Sequence, residues 1–159
     1  MNKANQTPKL DAMAKVVTQT LQACPVARTA KIIGDEWIML ILRELFKQPQ
    51  KFDELQKATG IATNILTSRL KRMMDAAIVE KIPYQERPPR FTYKLTKAGL
   101  GLLPLTLEMM RYGEQWLLCD QPSTLRLRHT ECGKITAAGQ VCSECGEPLH
   151  LKNLRLEST

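Results

Sequence analysis

What this chain lacks narrows its class before anything else does. No uninterrupted apolar run approaches the roughly 18 residues needed to span a bilayer. Residues 1–10 are polar and hold no apolar signal-peptide core, so a cytoplasmic protein without a membrane partner is expected. There is no internal repeat, low-complexity tract, glycine-rich phosphate loop, acidic pair or nucleophile–base–acid constellation. The two histidines, His129 and His150, both fall near the C-terminus. These absences argue against an enzyme. The five cysteines, with no secretory signal read ahead of them, argue against a disulfide framework as well.

The 159 residues suffice for one ordinary domain plus a small appendage, and an apolar content of 43% is enough to close a core. The net charge is +7, from 23 basic and 16 acidic residues, which suits an anionic partner such as nucleic acid. The excess is uneven. Residues 1–34 carry +4 (five basic, one acidic) and residues 78–96 carry +2 (four basic, two acidic), whereas residues 97–122 are slightly acidic.

Apolar positions Leu10, Met13, Val17 and Leu21 recur at three- and four-residue steps and predict a first helix over residues 6–23. Cys24-Pro25 stops it and starts a second, ended by Gly34. Asp35 reads as the N-cap of a strongly apolar core helix over residues 37–47, with Trp37, Leu40, Ile41 and Leu45. A short helix over 52–59 is stopped by Gly60, and Thr63 reads as the cap of a helix over 64–77. Ile78 to Ile82 and Phe91 to Leu95 alternate as two strands around a polar turn at residues 85–89. Thr96 then caps a long helix reaching Leu118, irregular or bent at Pro104 or Gly113.

Two short helices, a tight turn, a longer helix and a hairpin give the order of a winged helix-turn-helix, whose second helix enters the major groove. In the helix over 64–77, Leu66, Leu70, Met73 and Ala77 fall within about 60° of arc and form the buried stripe. The opposite face shows Asn64, Ser68, Lys71 and Asp75, flanked by Thr67 and Arg72. Asn pairs with adenine edges, Lys and Arg with guanine or phosphate, and Thr or Ser with either. The plainer reading is a solvated helix face. At the hairpin tip, Glu86-Arg87-Pro88-Pro89-Arg90 offers Arg87 and Arg90 to phosphates or the minor groove; the plainer reading is an ordinary charged loop.

The stretch from Cys24 to Trp116 resembles the HxlR-type regulators, a branch of the MarR-like winged-helix proteins. The matching pieces are Cys24-Pro25, Ile33-Gly34-Asp35-Glu36-Trp37, Leu40-Ile41-Leu42-Arg43-Glu44-Leu45, Phe52-Asp53-Glu54-Leu55, Leu66-Thr67-Ser68-Arg69-Leu70, Pro88-Pro89-Arg90 with Tyr93, and Leu95-Thr96 with Gly99. Asp35-Glu36 departs from the glycine and lysine usual before the tryptophan. The resemblance implies a homodimeric transcriptional regulator of its own or a neighbouring promoter, its operator and inducer undefined. The sequence supports dimerisation independently: Leu102, Leu103, Leu105, Leu107, Met109, Met110, Trp116, Leu117 and Leu118 carry more apolar surface than one winged helix covers. Packing of that surface on its own core or on the C-terminal segment remains the other reading.

The resemblance also gives Cys24 a sensing role toward oxidants or electrophiles, and a cysteine at a helix N-terminus gains thiolate character. Its alternative role is a small filler in the dimer interface. Cys119 reads as structural.

A break at residues 120–123 precedes a last segment, residues 123–159. It reads His129-x2-Cys132-Gly133 and Cys142-x2-Cys145-Gly146. A two-residue gap lets one tight turn aim both donors at one ion, and the following glycine permits a positive φ. Two such halves make a Cys3His zinc ribbon of structural Zn2+, with His150 a possible substitute ligand; the alternative states are metal-free thiols or an air-formed disulfide between cysteines of the two pairs. The expected organisation is therefore a dimerisation helix over 1–23, a winged-helix domain over 24–120 ending in a second dimerisation helix, and a zinc-ribbon-like module over 123–159. The fold class is mainly α with a small β-hairpin wing. The rival function is an RNA-binding or protein-assembly subunit without promoter specificity.

Overall fold

The structure is a computed structural model that describes residues 23–118 and 121–158. The expected first helix lies, but for its last residue, outside the described residues, as does Cys119. The chain divides into two compact units after Glu36. No helix among the described residues is long and apolar enough to cross a membrane.

In the first unit, α1 (Pro25–Ile33) begins where Cys24 adopts an extended conformation and its carbonyl accepts from the Arg28 amide at 3.0 Å. Pro25 sits in the first turn, where no amide is needed. The helix closes at Gly34 for a steric reason: its φ is −73°, and a Cβ there would run into the Ala30 carbonyl.

In the second unit, α2 (Glu36–Lys47) starts one residue earlier than expected and buries Ile38, Ile41, Leu42 and Leu45. A two-residue strand, β1 (Gln50–Lys51), precedes α3 (Phe52–Thr59), which ends at Gly60. The Lys51 amide donates to the Glu54 carboxylate at 2.7 Å, closing the helix start. After the turn, with Ile61 buried, comes α4 (Thr63–Asp75). Thr63 is the first helical residue and not its cap, because its hydroxyl instead accepts from Gln56 Nε2 of α3 at 2.8 Å. Leu66, Leu70 and Met73 form the buried stripe as expected. Ala77 does not belong to it: the helix has stopped, and Ala77 is exposed with φ 54°. The Ile78 and Ala77 amides reach back to the Met73 and Met74 carbonyls, both at 2.9 Å. This left-handed closure turns the chain into the sheet.

β2 (Val79–Gln85) and β3 (Arg90–Leu95) pair antiparallel, with Val79 opposite Leu95 and Ile82 opposite Thr92. β2 runs three residues past its expected end, through Pro83. Proline is tolerated there because the sheet order β1-β3-β2 makes β2 an edge strand. The hairpin gains a strand that was not expected: Gln50 pairs with Tyr93 and Lys51 with Thr92. Gln50 is buried and donates through Nε2 to the Glu44 carbonyl at 2.9 Å, tying β1 to the end of α2.

The long helix expected after Thr96 is two helices, α5 (Lys97–Leu100) and α6 (Leu103–Trp116). Thr96 does cap the first, accepting from the Gly99 amide at 3.2 Å. Gly99 carries no side chain because a Cβ would collide with the Ile78 carbonyl. The break follows from Pro104, which has no amide to continue a helical ladder and sits in the first turn of α6.

The C-terminal segment forms β4 (Leu125–His129), β5 (Ile135–Thr136), a 3-10 turn (Leu151–Asn153) and β6 (Leu154–Ser158) in a sheet of order β5-β4-β6. Leu127, Ala138, Cys142 and Leu149 share a core with Leu107 of α6, and Leu103 and Met110 pack against it. Between α2, α6 and this sheet lies an apolar groove of about 370 Å³ lined by Met39, Phe46, Leu103, Met110, Leu127 and Leu156 among others.

Candidate nucleic-acid interface and metal centre

On α4 the residues opposite the buried stripe stand where the helical wheel puts them. Asn64, Thr67, Ser68 and Lys71 are exposed; Arg72 is half-buried and already partnered. Thr67 donates its hydroxyl proton to the Thr63 carbonyl at 2.8 Å, so toward any ligand it can only accept or offer its methyl group. At the hairpin tip the turn is held by Gln85 Nε2 on the Arg87 carbonyl at 3.0 Å, and the Arg87–Pro88 peptide is cis. Arg87 and Arg90 are exposed, and neither side chain is engaged by a described residue.

Two further cations line this hairpin. Lys51 Nζ lies 4.9 Å from the Tyr84 ring centre and Lys81 Nζ 4.6 Å from that of Phe91. Sequence reasoning singled out neither: Lys81 shares its strand face with buried Val79, and the strand that carries Lys51 has only two residues. A cation over a ring face is attracted by its quadrupole, which holds both ammonium groups against the sheet.

The four expected metal ligands converge. One donor atom from each of His129, Cys132, Cys142 and Cys145 lies within 4.8 Å of all the others. Two backbone loops of one design bring them together. The His129 amide donates to the Lys134 carbonyl (3.0 Å) and the Gly133 amide to the His129 carbonyl (2.8 Å). In the second loop the Cys142 amide donates to Glu147 (2.8 Å) and the Gly146 amide to Cys142 (2.9 Å). Gly133 and Gly146 have φ of 70° and 75°, a conformation that a Cβ would strain, so the glycine after each second ligand is what lets the loop close.

The spacing fits a tetrahedral ion. His129 Nδ1 is 3.2 Å from the Cys132 sulfur and 3.4 Å from that of Cys145, and the Cys132 and Cys142 sulfurs are 3.8 Å apart. Ligand bonds of about 2.3 Å to sulfur and 2.0 Å to nitrogen give tetrahedral edges of about 3.8 and 3.5 Å. A disulfide needs about 2.05 Å, so these thiols are unbonded. Three sulfurs and an imidazole nitrogen aimed at one point are the donor set of zinc and not of a hard cation.

Burial would push the Cys142 thiol up, but the amides of Glu144 and Cys145, the Thr136 side chain and the Cys145 thiol bring it down to about 6. At Cys145 the Glu147 amide lowers the thiol, yet burial and the Cys142 and Cys132 thiols beside it leave it raised. Backbone amides thus point at sulfur. With Nδ1 turned to the thiols, His129 Nε2 is buried without a hydrogen bond, and Glu131 Oε2 stands 3.7 Å away.

His150 stays outside this group, exposed at the start of the 3-10 turn. Sequence reasoning missed the residues that brace the loops. The Ser143 amide donates to Thr136 Oγ1 at 2.9 Å. Buried Asn153 donates to the Pro148 carbonyl (3.1 Å) and accepts from the His150 amide (2.8 Å), and its own carbonyl accepts from Thr130 (2.7 Å). Only the closed fold brings these partners together. Cys24 is half-buried at the N-terminus of α1.

Residues 32–121 match the HxlR-like helix-turn-helix family. The HTH-type transcriptional regulator Rv3095 of Mycobacterium tuberculosis is 32% identical over 132 residues, which cover 83% of this chain and 84% of that protein. The regulator sll1512 of Synechocystis is 32% identical over 134 residues, covering 84% and 93%. Among solved structures, PA1607 superposes with a TM-score of 0.67 at 34% identity, covering 84% of this chain and 94% of that one. The redox regulator HypR in its oxidised form gives 0.54 at 30% identity, covering 58% and 96%.

Proposed function

This chain belongs to the HxlR-like helix-turn-helix family, a family of transcriptional regulators and not of enzymes, and we propose that it binds duplex DNA sequence-specifically as a homodimer. Asn64, Thr67, Ser68, Lys71 and Arg72 read base edges in the major groove, and Arg87 and Arg90 hold phosphates or the minor groove. The observation that carries this reading is the polarity of α4: its buried side is Leu66, Leu70 and Met73, and its exposed side is a row of groups that pair with bases.

The dimer rests on α6. Leu105, Met109, Tyr112 and Trp116 recur at three- and four-residue steps and are between 41% and 61% exposed, while the other side of the helix meets the ribbon. An apolar stripe at that spacing suits a second copy of the same helix, and a two-fold axis between copies gives a pseudo-palindromic operator.

Zinc held by His129 Nδ1, Cys132, Cys142 and Cys145 would cross-link the two loops structurally, with no open coordination position. Two features offer an input. Cys24 lies at a helix N-terminus, and HypR, a relative in fold, is a redox regulator. The apolar groove falls in the range of roughly 300–1,000 Å³ typical of small-molecule pockets, here for an apolar effector.

The test is selection of bound duplexes from a random pool, with and without oxidant, alongside elemental analysis of protein purified without added metal. A pseudo-palindromic consensus and one zinc per chain are expected. Salt-dependent binding with no preferred duplex would overturn the regulatory reading. A metal ratio near zero, with the ribbon still resistant to protease, would overturn the zinc site.

A further inference from the structure

The outer face of the ribbon sheet carries a charge arrangement that the winged helix does not explain. β4 and β6 pair so that Arg126 faces Glu157 and Arg128 faces Arg155, with Leu127 opposite Leu156 on the inner side. Alternation therefore puts three guanidinium groups and one carboxylate on the outside. Arg128 is satisfied: Nε donates to Glu157 at 2.8 Å and Nη1 to the Gly133 carbonyl at 2.6 Å. Arg126 and Arg155 are exposed, and neither is hydrogen-bonded or ion-paired to a described residue. All three arginines nonetheless act on the one acid, and hold the Glu157 carboxyl below the usual range.

Like charges directly opposed across a strand pair are destabilising. Arg128 and Arg155 are so opposed, in a small sheet with few apolar side chains to compensate. One carboxylate among three cations leaves the face at +2. A polyanion bound on this face would offset that repulsion.

We propose that this face, Arg126, Arg128 and Arg155, is a second nucleic-acid contact that grips the phosphate backbone of duplex DNA. It rests on the reading of the chain as a duplex-binding regulator, and adds to it a contact made without base readout. Sugar-phosphate contacts of this sort add affinity and salt dependence but no sequence information. Glu157 orders Arg128 and leaves the other two guanidinium groups to the phosphates.

The experiment compares the parent, R126A/R155A and E157Q on a selected duplex, a scrambled duplex and a single-stranded RNA of equal length, across a salt series. The double variant is expected to bind both duplexes at least tenfold more weakly near physiological salt and to flatten the salt slope by about two units per subunit of the dimer. The ratio between selected and scrambled duplex stays as in the parent, and the melting temperature does not fall, since removing Arg155 relieves its opposition to Arg128. E157Q, which adds one net positive charge, steepens the slope by about one unit. An unchanged slope in both variants, in a parent that still prefers the selected duplex, overturns the ribbon contact alone. A parent with no duplex preference, whose RNA binding depends on Arg126 and Arg155, overturns the duplex as occupant and the regulatory reading with it.

Discussion

Residues 37–100 and residues 121–158 close their interiors by different means. In the first, Ile38, Ile41, Leu42, Leu55, Leu66 and Met73 are all fully buried, drawn from three helices. In the second, the buried side chains are Leu127, Ala138, Cys142 and Leu149 together with His129, Thr136 and Asn153. One region has enough apolar volume to hold itself together. The other has four donor atoms converging on one point, and borrows Leu107 of α6 to complete its core. A segment this small exposes too much surface for its volume to close an independent core, and the proposed zinc would make up for the missing side-chain volume. The proposed roles divide in the same way: the self-sufficient region would present the groove-reading face, and the region with four converging donors would present the arginine face.

Metal removal gives the largest effect and breaks the comparison outright. Chelation, or Cys142→Ser, is expected to release zinc and strip β4 to β6 of hydrogen-exchange protection, while α2 to α4 remain protected. Loss of protection in both regions at once would show that they form one cooperative unit through Leu107. The reverse perturbation is smaller: Leu42→Ala, fully buried in α2, should cost roughly 2–5 kcal/mol of unfolding free energy. Its zinc content, measured on folded protein, should remain that of the parent.

The next effects leave stability alone. Asn64→Ala and Ser68→Ala should each weaken operator binding by roughly 1–3 kcal/mol and relax one base position per half-site, with no change in melting temperature. Variants that bind as tightly as the parent would remove α4 from the reading role. Smallest is Arg87→Ala, expected to flatten the salt slope by about one unit for all duplexes alike. A shift in base preference without a change of slope would count against a backbone contact by the hairpin tip.

Legibility follows the same division. In the winged helix, α3 and its stop at Gly60 were readable to the residue, because a short amphipathic run ended by a glycine in a left-handed turn is a local signal. The ends of α4 were not. The spacing makes Thr63 a cap, but its hydroxyl is taken by Gln56 on the neighbouring helix. Ala77 continues the apolar period of α4, yet the chain has to reverse there to enter β2. β1 escaped because two residues have no periodicity. In residues 121–158, the group of converging donors was readable from a repeated two-residue gap, and His150 lies outside that group.

The sequence by itself determined which groups could do chemistry. Donor spacing, the glycine after each pair, and the polar stripe opposite Leu66, Leu70 and Met73 are properties of a few consecutive residues, governed by turn geometry and helical period. Tertiary structure decided which distant residues meet. The opposition of Arg128 and Arg155, the docking of Leu127 on Leu107 and the bracing of both loops by Asn153 depend on strand register and packing. A shift of one residue in that register would turn every side chain of β6 to the other face, and nothing local to β4 or β6 fixes it.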